Sequence, residues 1–121
     1  MNERFNQAIG LIDAENANDP NAENVGQETF PKELLYSQRM TQKLSEFEPD
    51  ASEALQIAVR AQHICRWKIA RNSYPMDRIG YLKWRQELKK FHAELTANIL
   101  EKSGYEKDFI ERVMFLIEKK L

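Results

Sequence analysis

The sequence predicts an all-α fold: a bundle of about five helices with the third at its centre. Three observations carry this. Apolar residues recur at three- and four-residue spacing along most of the chain. No segment alternates apolar and polar residues over a strand's length, and the dipeptides that close tight hairpins are missing. One stretch, residues 51–65, is apolar around most of its circumference, as a helix enclosed by others must be.

Taken in order, the first helix covers about residues 2–18, with Phe5, Ala8, Ile9 and Ile12 on one face, and ends in Asn16-Ala17-Asn18-Asp19-Pro20. Residues 19–30 read as a polar loop containing Gly26, long enough to suggest a role of its own. The second helix starts near Pro31, a residue suited to a first helical position, and stops at Pro49; Met40, Leu44 and Phe47 mark its buried face. Asp50-Ala51-Ser52-Glu53 resembles a capping box and opens the third helix, which is expected to run to about Trp67. Residues 68–77 form a basic connection. Asp77 caps a long fourth helix that ends at Ser103-Gly104. The fifth runs from about Glu106 to Leu121, with Phe109, Ile110, Val113, Leu116 and Ile117 on one side and Phe115 on the other. Apolar residues on both sides, and no cap at the end, suggest a helix covered twice, by a second subunit or by chain beyond Leu121.

The 121 residues fit one domain, spanning 1–121, with a modest core: 42% of residues are apolar and 31% charged. No window holds the roughly 18–20 consecutive apolar residues of a membrane span. The opening Met1-Asn2-Glu3-Arg4-Phe5 lacks the basic and apolar regions of a secretory signal, and the single Cys65 makes no internal disulfide. A reducing cytoplasm is the expected compartment. Cys65, among apolar neighbours, reads as a small buried hydrophobe.

Charge is distributed unevenly. Residues 1–59 set four basic side chains against eleven acids, a balance of −7, whereas residues 60–92 set nine against two, a balance of +7. Local potential attracts an anion more than net charge does. On the fourth helix Tyr81, Trp84, Leu88, Phe91, Leu95 and Ile99 share a core stripe. Arg78, Arg85, Lys89 and His92 stack beside it at spacings of seven, four and three. That row lies where a cleft wall would run, and Arg66 and Arg71 add to the same segment. Arginine there grips phosphate or carboxylate through two parallel hydrogen bonds. The plainer alternative is an amphipathic helix with snorkelling cations, or a basic face docked on the acidic half of the same fold.

Near the end of the third helix, Gln62 projects into the apolar arc and needs hydrogen-bond partners, while His63 lies at its edge. His92 borders the core stripe of the fourth helix. With helices three and four packed together, the two imidazoles share one border, as an acid/base pair or as metal ligands. Glu33, on the apolar face of the second helix, is a candidate third ligand for a divalent metal ion; in the first helical turn it also meets the helix dipole favourably. Tyr36 and Ser37 can contribute hydrogen bonds. No phosphate-cradling glycine loop, zinc spacing or H-E-x-x-H motif is present.

Several segments together, Pro31-Lys-Glu-Leu-Leu-Tyr-Ser-Gln-Arg-Met40, Ala61-Gln-His-Ile-Cys-Arg-Trp67, Tyr74-Pro-Met-Asp-Arg78, Gly80-Tyr-Leu-Lys-Trp-Arg85 and Phe91-His-Ala93, resemble a bacterial and fungal family defined as domain of unknown function 4202. The resemblance covers nearly the whole chain. It implies a further acidic and apolar helical segment past Glu118-Lys119-Lys120, so that any ligand from that segment lies outside this chain. A more distant likeness joins Leu34–Met40 and Ala61–Ile64 to the HD-domain phosphohydrolases. It implies a helical fold, with Tyr36 standing at a ligand histidine and Gln62-His63 at the His-Asp pair. Tyrosine and glutamine are poor ligands for a hard divalent cation, so this likeness implies the fold without the family's metal chemistry.

The leading expectation is therefore a protein that binds a small phosphorylated or nucleotide-like anion in a basic cleft, on the pattern of a degenerate HD-like phosphohydrolase. Arg71, Arg78, Arg85 and Lys89 hold the anion, and His63 and His92 move a proton or hold a metal. The alternatives are a non-enzymatic module whose basic face meets RNA or an acidic protein, with Tyr74, Tyr81 and Trp84 stacking on bases, and a helical structural protein that forms homo-oligomers through its fifth helix.

Overall fold

The computed structural model describes residues 2–120. In chain order they form α1 (Glu3–Asn16), β1 (Ala22–Val25), β2 (Glu28–Pro31), α2 (Lys32–Phe47), α3 (Glu53–Arg60), α4 (Arg78–Lys102) and α5 (Lys107–Lys120). Two 3-10 turns, Arg66–Lys68 and Arg71–Ser73, lie between α3 and α4. The architecture is mainly helical, and no described helix is long and apolar enough to cross a membrane. The expected run of the last helix to Leu121 lies outside the described residues.

α3 occupies the middle, packed against α1, α2 and α5, while α4 lies along α5 and touches α1. Ile57 and Ala58 of α3, with Ala61, Ile64 and Cys65 just beyond it, are fully enclosed. They join Ala8 and Ile12 of α1, Leu100 of α4, and Val113 and Ile117 of α5 in one apolar cluster. Each such isoleucine or leucine contributes about 1.5–3 kcal/mol through removal from water. Ser52 caps α3 by accepting from the Leu55 N–H at 3.1 Å, and Asp77 caps α4 by accepting from the Gly80 N–H at 2.7 Å, as their sequence positions suggest. A bidentate pair, Arg60 to Asp13 at 2.8 and 2.7 Å, fastens the end of α3 to α1.

The structure corrects four expectations. The polar loop at 19–30 contains an antiparallel hairpin, in register Val25 with Glu28. Its two-residue turn is Gly26-Gln27, and Gly26 takes φ +64°. Glycine at the first turn position is what a type II′ hairpin requires. The strands are four residues long and mostly exposed, so they carry no alternating pattern. Asp19 seats this unit. Its carboxylate accepts from the Asn21 N–H at 2.9 Å and from the Glu33 N–H at 2.8 Å, capping α2 where Pro31 offers no side-chain oxygen.

Second, α3 stops at Arg60 and not near Trp67. Beyond it the backbone tightens into three-residue hydrogen bonds (Ile64 to Ala61, Arg66 to His63, Lys68 to Cys65), and Cys65 takes a left-handed conformation, φ 53°. Asn16, 1% exposed at the end of α1, accepts from the Cys65 N–H at 3.0 Å through its Oδ1, so no helix continues through Cys65 to Trp67. Third, Phe47 is 83% exposed, and the enclosed face of α2 is formed by Glu33 and Ser37, with Met40 and Leu44 only half-buried. Fourth, Tyr81 leaves the core stripe of α4 and is 40% exposed, whereas Trp84 and Leu88 stay buried.

Two substitutions test this account. A Cβ at Gly80 would sit 2.0 Å from the Pro75 carbonyl oxygen. Gly80→Ala is expected to destabilise by about 1–3 kcal/mol, because backbone has to move. Asn16→Ala removes the acceptor of a buried N–H and is expected to lose about 1–3 kcal/mol. Urea unfolding measures both, and an unchanged midpoint in either variant would contradict the corresponding contact.

Candidate functional site

Where α3 unwinds, the chain turns its polar side chains toward α4. A cavity of about 250 Å³ opens there, lined by Gln62, His63, Arg66, Arg85, Leu88, Lys89, His92 and Ile117. The residues come from three places. The turn after α3 supplies Gln62, His63 and Arg66. One face of α4 supplies Arg85, Leu88, Lys89 and His92, which follow at three- and four-residue steps. Ile117 of α5 adds an apolar surface. The two imidazoles lie with ring centroids 6.3 Å apart. They meet although α3 and α4 are not a main packing pair; the unwound segment brings His63 across.

The two histidines and Gln62 each make a definite contact. His92 is 3% exposed, and its Nδ1 donates to the Ile64 carbonyl at 2.8 Å. That carbonyl takes no backbone donor among the described residues, because the Lys68 N–H turns to Cys65 instead. A carbonyl only accepts, so Nδ1 carries the proton and Nε2 keeps its lone pair. Burial pushes the His92 pKa down to about 4, against the opposing pull of the Ile64 hydrogen bond. The ring is neutral near pH 7.

His63 stacks on Tyr36 with centroids 4.3 Å apart, and its Nδ1 lies 3.5 Å from Glu33 Oε1. Gln62 Nε2 donates to the Tyr36 hydroxyl at 3.2 Å, while Gln62 Oε1 is shielded from solvent with no partner. An unmet buried acceptor costs roughly 1–3 kcal/mol. Burial, reinforced by Glu33, raises the Tyr36 pKa, so the phenol stays protonated. Tyr36 thus touches both Gln62 and His63.

Of the expected anion-holding residues, Arg85 and Lys89 line the cavity and Arg71 and Arg78 do not. Arg71 spends its guanidinium on the preceding loop, donating to the carbonyls of Tyr74, Pro75 and Asp77 at 3.4, 2.9 and 3.4 Å. It also lies over the Tyr81 and Trp84 rings. Arg78, in the first turn of α4, is exposed. Arg66 takes their place, at the cavity wall and over Trp84 at 5.2 Å. Its sequence position in the basic block was the only signal for it; Ile117 gave none.

The expected metal-ligand set of His63, His92 and Glu33 is not brought together as a group among the described residues. Glu33 meets His63 alone, His92 turns Nδ1 to a backbone carbonyl, and among the described residues no three His, Cys, Asp or Glu side chains are grouped to hold an ion. Glu33 orients His63 instead. Cys65 is buried, and burial together with the Glu15 hydrogen bond pushes its thiol up to about 12, as befits an inert core residue.

No curated protein and no solved structure matches the chain. The model of the family described as "Domain of unknown function (DUF4202)" matches residues 6–121, which takes in every residue of the cavity wall. The chain belongs to that family.

Proposed function

We propose that the protein binds a small phosphorylated anion in the cavity between the 61–66 turn and α4. The observation that carries this reading is three cations, Arg66, Arg85 and Lys89, lining one cavity, none of them in an ion pair among the described residues. Arg60 and Arg71, by contrast, are held by a carboxylate and by backbone carbonyls, whereas Arg85 donates to the neutral Tyr81 hydroxyl at 3.0 Å. Cations left unpaired around a concavity attract an anion, and arginine matches phosphate geometry. The volume sets an upper size. Sites that enclose drug-sized ligands span about 300–1,000 Å³, so 250 Å³ holds a phosphate ester smaller than a nucleotide, or the phosphate end of one.

A hydrolytic or proton-transfer role extends this reading along the lines of a degenerate phosphohydrolase. It falls to His63, which Glu33 and Tyr36 hold in place. His92, with a pKa near 4, is a weak base at neutrality and serves as a hydrogen-bond acceptor. The RNA alternative loses one of its stacking surfaces: Trp84 is 8% exposed and its indole N–H donates to the Ile69 carbonyl at 2.8 Å.

Thermal-shift and calorimetric titration with phosphate esters and nucleotides at low salt test the proposal. A ligand at a hundredfold its Kd stabilises by about 2.7 kcal/mol. Arg85→Ala and Lys89→Ala are each expected to weaken binding about tenfold or more, from loss of a charge-assisted hydrogen bond. Arg78→Ala is expected to leave it unchanged. Equal affinity in wild type and the Arg85→Ala/Lys89→Ala double variant would sink the reading.

The neutral His92 has its own signature. The unfolded imidazole takes up a proton below about pH 6.5, but the folded one waits until about 4. In that window the unfolded state binds more protons, so stability falls as pH falls. Urea midpoints between pH 7 and 4 are expected to decline more steeply in wild type than in His92→Gln, whose side chain does not titrate. Parallel pH profiles would place His92 in a solvated environment instead.

A further inference from the structure

The groups lining the cavity differ in chemistry. Arg66, Arg85 and Lys89 offer only donors, since ammonium and guanidinium groups have no acceptor. His92 and Gln62 offer acceptors. His92 Nε2 holds a lone pair because Nδ1 is committed to the Ile64 carbonyl, and it has no partner among the described residues. Gln62, which also lines the cavity, carries the unpartnered Oε1. A bare phosphate or simple alkyl phosphate dianion supplies acceptors alone and leaves these two groups unmet. Leu88 and Ile117, which also line the cavity, suit a short carbon skeleton.

We infer that the ligand is a small phosphate monoester bearing a hydroxyl group on its carbon chain, with its phosphate against Arg85 and Lys89 and its hydroxyl donating to His92 Nε2. This rests on the phosphate-binding reading and narrows it to hydroxylated esters of the polyol or sugar phosphate class. His92 then acts as a specificity determinant. Its tautomer is held by the backbone that α3 releases when it ends at Arg60. The acceptor persists across the neutral range because burial keeps the ring uncharged. The 250 Å³ volume suits a skeleton of a few carbons.

The test compares glycerol 3-phosphate and ribose 5-phosphate with propyl phosphate, on the intact protein at pH 7.5, by calorimetry. At least one hydroxylated ester is expected to bind about tenfold tighter than propyl phosphate, the worth of one buried hydrogen bond. His92→Leu is expected to erase that preference while retaining phosphate binding. Because His92 is enclosed and this variant can fail to fold, nitrogen-15 spectra of histidine-labelled wild type give a second readout. The unprotonated Nε2 resonance of His92 is expected to shift on adding the hydroxylated ester and to stay in place with propyl phosphate. Equal affinities with a stationary Nε2 signal would overturn the hydroxyl assignment and leave the phosphate reading standing. Binding of none of the three would overturn both.

Discussion

A single buried carboxamide shapes the cavity end of this molecule. Asn16 closes α1 and takes the Cys65 N–H, and that hydrogen bond holds Cys65 left-handed, a conformation an α-helix does not admit. α3 therefore cannot run on to Trp67. Two consequences reach the cavity. Gln62, His63 and Arg66 point where a continued helix would not have placed them together. The Ile64 carbonyl, relieved of a helical donor, is left for His92. The proton position on His92, a detail of ligand chemistry, thus follows from where a helix on the far side of the core ends.

The same interaction explains what the sequence reveals and what it hides. Periodicity depends on side chains facing a core, so the enclosed residues of α1, α3 and α5 were legible, and so were the caps at Ser52 and Asp77, because local chemistry sets them. The apolar run 51–65 reads as one helix because its enclosure continues after its helical hydrogen bonding stops. Only a contact 49 residues away in the chain stops it. The hairpin is hidden for another reason. Its strands are exposed and short, and the single cue, Gly26 followed by Gln27, is a common dipeptide outside the strongest turn signals. Phe47 was misjudged because α2 runs past the edge of the core it covers. Its first turns are buried and its last are not.

The candidate site was legible to the extent that it lies on one helix face. Arg85, Lys89 and His92 share a row of α4, and that row borders the cavity. Arg78 belongs to the same row on a helical projection. It lies outside the cavity because it occupies the first helical turn, beyond the opposing wall. Arg71 was attributed to the site on charge alone, and charge says nothing about the carbonyls a side chain will find. The joining of His63 to His92 was expected from packing of α3 on α4. The rings do meet, by a different route through the unwound turn.

The nine basic residues of the central block therefore fall into physically different groups. Arg60 is bidentate to Asp13 with its side chain 13% exposed, a geometry that offsets the loss of hydration. Arg71 is saturated by backbone carbonyls and serves the loop before α4. Lys68, Arg78, Lys83 and Lys90 lie in open solvent, where a charge needs no partner. Arg66 and Lys89 are half-buried, and Arg85 is exposed and donates to the Tyr81 hydroxyl at 3.0 Å. They converge on a concavity whose walls include buried apolar surface, so their mutual repulsion is screened less than on an open face. No carboxylate among the described residues pairs with them, although the chain's acidic half supplies eleven. Glu33, the enclosed carboxylate of this region, is held against His63. An arrangement that served stability alone would bring an acid to these three cations, as it does to Arg60. Leaving them without an acid beside the unmet Gln62 Oε1 disfavours the empty protein, and on the proposed reading a ligand carrying both an anion and a donor offsets that cost. That is the physical basis for reading this hollow as a binding site and not as a packing defect.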